Sequence, residues 1–248
     1  MLYLMFNLHN TPLPKTTFSL SQPQPRRWLS RRALAAFVVL GGGSLFVLAL
    51  ILVRAALSGR LAYYFLLWNL ALAWVPFLCA YVVHRLPRLP LLTLFFAGLW
   101  LLFFPNAPYL VTDLVHLRTV AENRFLWLDI VMMFSFAWLG AMLGFLSLWL
   151  MHDWVNRAAG WLSGWLFVIG ASAAAGFGVY LGRFLRWNSW DVVAEPWELF
   201  GDIIAPFLSP RAHARPLAFS LLIAAMMLMG YVSLVVFAKW QREEKGEG

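Results

Sequence analysis

Asp113 and His116 stand three residues apart, a step that brings two side chains onto one face of a helix. A carboxylate beside an imidazole can serve as base and orienter in proton transfer. It can also supply two ligands of a metal completed from Asp129, Asp191 or Glu195. Arg183 and Arg186 repeat the same step, and guanidinium forks match the geometry of phosphate and carboxylate groups. The chemistry to expect is acid–base work at Asp113 and His116, beside a clamp for an anionic group at Arg183 and Arg186. Asn106, Tyr109, Asn188 and Asp191 add hydrogen-bonding groups from the same two stretches and complete the candidate ligand-binding set. No HExxH or paired-histidine spacing occurs, so no metal is assigned. Phosphate loops are absent, Ser189 lacks a nucleophile elbow, and no cofactor is expected.

Each of these residues also has a structural reading. Asp113 can belong to an interfacial network with histidine or arginine. The two arginines can snorkel to headgroups while pairing with Asp113, Asp129 or Asp191. Asn106 can satisfy backbone groups that Pro105 and Pro108 set free. Asn188 and Ser189 suit a turn, and Trp187 and Trp190 suit interfacial anchors.

The elements that must position these groups are long apolar helices. Of 248 residues 62% are apolar and only 12% charged, about half the usual charge of a soluble domain. Apolar runs cover residues 33–53, 61–83, 89–104, 126–151, 158–181 and 216–238, close to the roughly twenty residues that cross a bilayer core. The fold class expected is all-α, a polytopic membrane helix bundle of about six transmembrane helices. The third run is short, and Pro105 and Pro108 end its hydrogen bonding, so a break is expected there, with Asn106 capping a second short helix to about Arg118. Trp197, Phe200, Ile203, Ile204 and Phe207 recur at steps of three and four, which predicts an interfacial amphipathic helix over 196–208. Gly140 and Gly144, like Gly178 and Gly182, form small-residue steps that predict close packing of the fourth and fifth helices. Cys79 lies in an apolar run and reads as a core residue.

Three segments follow: residues 1–32 as a flexible cytoplasmic tail, 33–238 as one transmembrane domain, and 239–248 as a charged, disordered tail. The net charge of +8 gathers beside apolar runs, which indicates headgroups and membrane orientation; no nucleic-acid motif accompanies it. Six spans place both termini on one side. That side carries eleven Lys and Arg against eight, so both termini are expected in the cytoplasm. On this count residues 105–117 form the third loop and 180–191 the fifth, both extracytoplasmic. The cytoplasmic half offers few polar groups within the spans, essentially Asn69 and Ser147.

Phe104-Pro105-Asn106-Ala107-Pro108-Tyr109 through Thr112-Asp113-Leu114-Val115-His116-Leu117 resembles the signature of the bacterial membrane family named domain of unknown function 1361. Tyr180-Leu181-Gly182-Arg183-Phe184-Leu185-Arg186-Trp187-Asn188-Ser189-Trp190-Asp191 resembles its second signature. The resemblance spans about residues 60–240. It implies a polytopic protein of the bacterial plasma membrane and no particular activity.

The functional expectation is an integral membrane protein with a polar extracytoplasmic site for an anionic lipid headgroup or a phosphorylated ligand. Its partners would be membrane lipids. Two other readings stand beside it: a structural or assembly protein that binds a partner protein, and a transporter working across the helix break.

Overall fold

The computed structural model describes residues 31–85, 89–119 and 124–244. All regular structure among them is helical. Helices α1 (Arg31–Ser58), α2 (Tyr64–Arg85), α3 (Pro90–Phe103) and α4 (Asn106–Thr112) lead into a tighter 3-10 turn over Asp113–Thr119. Helices α5 (Leu126–Ala159), α6 (Trp161–Phe184), α7 (Asp191–Ala194), α8 (Pro196–Leu208) and α9 (Ala214–Glu244) follow. Six stretches are long and apolar enough to cross a membrane: Ala33–Ser58, Tyr64–Arg85, Pro90–Leu117, Leu126–Ala159, Trp161–Phe184 and Ala214–Gln241. The chain is a multi-pass, all-α membrane bundle. Residues 1–30, most of the expected flexible tail, and 245–248 lie outside the described residues. The charged tail departs from expectation where it is described, because α9 runs through Lys239 to Glu244. Lys, Gln, Arg and Glu are good helix formers and extend an apolar helix that is already nucleated.

Helix α5 is the axis of the bundle. It is 34 residues long, about 51 Å at the usual rise, and its buried face runs from Asp129 to His152. Helices α1, α2, α4 and α6 pack around it, while α9 lies chiefly along α6. Helices α5 and α6 are neighbours as expected, and Gly164 of α6 faces Asn156 and His152 of α5, but the glycines of the small-residue steps serve other partners. A side chain at Gly140 would meet Leu110 and the Ala107 carbonyl of α4, and one at Gly144 would meet Ala107 at 3.1 Å. In α6, Gly176 makes room for the Ser220 backbone of α9, and Gly178 makes room for the Pro105 ring. Small residues thus seat the broken segment directly on the bundle core.

The third span is the exception that positions the site. Helix α3 has 14 residues, about 21 Å, too short for a hydrocarbon core of about 30 Å. The remainder is α4 and the 3-10 turn, which continue the span to Leu117 after the interruption at Phe104 and Pro105. This corrects the loop assignment of residues 105–117: Ala107, Pro108, Leu110 and Asp113 are buried. Likewise Tyr180 to Phe184 belong to α6 rather than to the loop after it. The expected cap also shifts by one position. Pro105 occupies the N-cap position of α4, and Asn106 is its first residue.

Candidate functional site

Proline has no N–H, so Pro105 and Pro108 remove the usual partners of the Leu101 and Phe104 carbonyls, and the end of α3 at Phe103 leaves the Leu102 and Phe103 carbonyls to other donors as well. The Leu102 carbonyl accepts from Ser189 Oγ at 3.3 Å, the Phe103 carbonyl from Asn106 Nδ2 at 2.9 Å, and the Phe104 carbonyl from the Ala107 N–H at 3.2 Å. Asn106 Nδ2 also lies 3.0 Å from Ser189 Oγ. Two side chains 83 residues apart in sequence therefore complete one backbone interruption. The two motif stretches meet here.

Ser189 is brought over the break by the end of α6. Arg186 adopts a φ of 65°, and the Trp187 N–H returns to the Leu181 carbonyl at 3.2 Å, which turns the chain back. Glycine usually fills such left-handed positions; an arginine there costs about 1 kcal/mol. The Asp191 carboxylate then holds the loop by accepting from the Asn188 N–H at 2.6 Å and from Asn188 Nδ2 at 3.2 Å. Trp187 Nε1 donates to Asp202 at 2.7 Å and ties the same loop to α8.

Below the break lies an ion-pair network. Arg183 donates to the Asp113 carboxylate at 2.6 Å and to Thr112 Oγ1 at 2.7 and 3.0 Å. Its guanidinium stands 4.6 Å from the centre of the Tyr109 ring, a cation–π distance. Asn69 of α2 donates to the other Asp113 oxygen at 2.8 Å. Asp113 is 2% exposed, so its charge is matched by one arginine and one amide rather than by water. His116 Nδ1 lies 3.2 Å from the Asp113 backbone carbonyl, and its ring packs 4.9 Å from that of Phe65. The carboxylate of Asp113 is thus aimed at Arg183 and Asn69, while His116 bonds the Asp113 main chain. Among the described residues no three His, Cys, Asp or Glu side chains cluster to hold a metal. Asp129 and Asp191, considered as metal ligands, are engaged elsewhere.

A half-open cavity of about 440 Å³ lies beside this network. Leu101, Leu102, Leu181 and Phe177 form apolar walls from α3 and α6, while Asn69, Asn106, Tyr109, Asn188 and Ser189 gather polar atoms at one end. Val192, Leu199 and Ile203 border it from α7 and α8. Of the eight residues singled out from sequence, Asn106, Tyr109 and Asn188 line the cavity, and Arg183, Asp113 and Asp191 support residues that do. Arg186 is exposed on the same loop and makes no hydrogen bond or ion pair among the described residues. His116 does not border the cavity.

One residue at this end was misread from the sequence, and a second was missed. Asn69 was assigned to the cytoplasmic half, yet it lies one turn into α2 against Asp113; α2 enters the bundle at the end where the break lies. Arg54, just past the first apolar run, donates to Asp129 at 2.6 and 3.3 Å within a buried α1–α5 contact. Phe125 covers that guanidinium at 4.4 Å, and the Tyr63 hydroxyl donates to Asp129 at 3.3 Å. Burial, and next the Asp129 carboxylate, raise the Tyr63 phenol above its ordinary range, which keeps it a neutral donor. The signal available was an arginine just past one apolar run and an aspartate 75 residues away inside another.

The predicted amphipathic helix is α8. Trp197 is 85% exposed, and Phe200 and Phe207 are exposed too, while Leu199 and Pro206 turn inward. Its outward apolar face suits the membrane interface. A family model described as "Protein of unknown function (DUF1361)" matches residues 68–237, more than half of the chain, and covers both motif stretches and every cavity-lining residue. No curated protein and no solved structure matches.

Proposed function

We propose that this chain, which belongs to the DUF1361 family, is a membrane-embedded binding protein for an anionic, lipid-like amphiphile. The observation that carries this is the cavity's two-part chemistry: apolar walls from α3 and α6, and polar groups collected where the break meets the α6 loop. A hydrocarbon chain fits the walls, and a headgroup fits the Asn106, Ser189 and Asn188 end. Arg186 does not line the cavity; it stands exposed on the loop whose Trp187, Asn188 and Ser189 do, and in this reading it supplies the positive charge. Arg183 contributes indirectly, since its own charge is matched by Asp113 and its surface supports the Tyr109 ring. The Asp113 carboxylate and His116 ring are each engaged, which favours binding over proton transfer.

We read the break end as extracytoplasmic, in a bacterial plasma membrane, with both termini cytoplasmic. Two of the eight Lys and Arg counted on the outer side, Arg54 and Arg183, are locked in ion pairs. Fewer cations are thus left to face outer headgroups, which strengthens the positive-inside asymmetry. Labelling of Asn188→Cys by an impermeant thiol reagent tests this; labelling only from the cytoplasm overturns the orientation. A partner-docking role rests on the exposed face of α8, which an interfacial helix equally turns to lipid.

Binding is tested by native mass spectrometry of the purified protein with anionic and zwitterionic phospholipids. Anionic lipid is expected to bind the parent chain preferentially. Ala174→Phe, which fills the cavity wall, should abolish retention, and Arg186→Gln should remove the preference. Equal retention by Ala174→Phe overturns the assignment of the cavity.

A further inference from the structure

The opposite end of the bundle holds a second cavity, of about 580 Å³, between α5, α6 and α9. It shares no lining residue with the first. His152 of α5 borders it and is only 6% exposed. Its Nδ1 lies 2.7 Å from the Tyr231 hydroxyl of α9, and its Nε2 is buried without a partner. Asn156 Oδ1, one turn further along α5, is also buried without a partner.

Counting stranded groups assigns the proton. If the Tyr231 hydroxyl donates to Nδ1, the ring proton sits on Nε2 and one donor lacks an acceptor. If Nδ1–H donates instead, both the phenol proton and the Nε2 lone pair are stranded. The first arrangement leaves fewer buried polar groups unmatched, so Nε2–H is a donor. A side chain at Gly164 would collide with Asn156 Oδ1 and stand 2.8 Å from His152 Cδ2, so the orphan oxygen fills a glycine notch in α6 beside the edge of the His152 ring that carries Nε2. One unmatched donor and one unmatched acceptor thus lie close together in a pocket walled by Trp149, Trp161 and Trp165.

A single hydroxyl set between the two atoms would match both: its oxygen would accept from His152 Nε2–H and its proton would go to Asn156 Oδ1. No unmatched buried charge meets it there. Asp153 is paired with Arg157 at 2.8 Å, and Lys239 is exposed at the rim, where water solvates it. Asp153 and Lys239 also line the cavity, but at the two orphan atoms themselves an ionised head would exchange its hydration for neutral groups only. We propose that this cavity binds an uncharged, hydroxyl-headed amphiphile, an alcohol or phenol taken from the lipid phase. This site stands independently of the proposal for the first cavity.

The test is photolabelling of the full chain in detergent micelles with three long-chain diazirine probes: an alcohol, its methyl ether and the matching carboxylic acid. The alcohol should label α5, α6 and α9 around His152 at least roughly fivefold more than the methyl ether, which has lost the donated hydrogen bond. His152→Phe should reduce alcohol labelling to the ether's level. Asn156→Leu, at a partly exposed position that tolerates change, should do the same and guards against misfolding of the first variant. Equal labelling by all three probes, or alcohol labelling that survives both substitutions, overturns the proposal and leaves water alone as the partner of these atoms. Retention of anionic lipid at the first cavity should be unaffected by either variant.

Discussion

Arg54–Asp129 and Arg183–Asp113 each put a guanidinium nitrogen 2.6 Å from a carboxylate oxygen, at the same end of the bundle. Their surroundings differ. The first pair is enclosed: its side chains are 6% and 0% exposed, and Phe125 and Tyr63 cover it. It fastens α1, which precedes the family match, to α5. In the second pair Arg183 remains 19% exposed, shares its donors with Thr112, and supports a tyrosine that lines a cavity. The same chemical unit is a fastener where everything around it is closed, and a foundation where one side is left open. That contrast separates a stability residue from a site residue better than charge or burial alone.

The contrast breaks most readily at the fastener. Asp129→Ala strands a buried guanidinium and should cost about 3–5 kcal/mol of unfolding free energy in micelles, while amphiphile retention by the folded fraction stays unchanged. Replacing both partners, Arg54→Met with Asp129→Leu, should recover most of that loss. If the single substitution costs under about 1 kcal/mol, the pair is not a fastener.

A smaller effect is expected at the foundation. Arg183→Lys keeps the charge but cannot fork between Thr112 and Asp113, and should cost about 1–2 kcal/mol. Unlike the first substitution, it should also weaken amphiphile binding, because Tyr109 loses its planar support. Unchanged binding would reduce Arg183 to a second fastener.

Packing provides a control of comparable size. Gly140→Val drives a side chain into Leu110 and the Ala107 carbonyl and should cost about 1–3 kcal/mol, read by thermal unfolding. Because α4 carries Asn106 and Tyr109, its displacement should lower binding as well. The smallest expected effect is at Ser189→Ala, about 1 kcal/mol from the orphaned Leu102 carbonyl.

Some of this was legible in the sequence, for physical reasons. The break at Pro105 and Pro108 could be read because a missing N–H is a local property. The six spans and the amphipathic α8 could be read because length and periodicity are local too. The meeting of Asn106 with Ser189 could be narrowed only to a shared end of the bundle, since the contact depends on how Arg186 reverses the chain. The role of Arg54 could not be read, because an arginine at a helix end looks the same whether it faces headgroups or an aspartate 75 residues away. Asn69 belongs with Asp113 on the span count itself, since the second span starts at the same end as the break; only its partner could not be read. The GxxxG steps marked close packing correctly but could not name what would fill them; in α5 the occupant is α4.

The stitch at Leu102, Phe103 and Ser189 bears on how the chain is made. Residues 102–106 enter the membrane well before Ser189 has been synthesised, since 83 residues separate Asn106 from it. Until then the Leu102 carbonyl has no side chain to serve it, and lipid offers no substitute. The third span therefore completes its hydrogen bonding only once the loop after the fifth has arrived. Truncating the nascent chain before Ser189 should leave residues 102–106 open to labelling that the finished protein excludes.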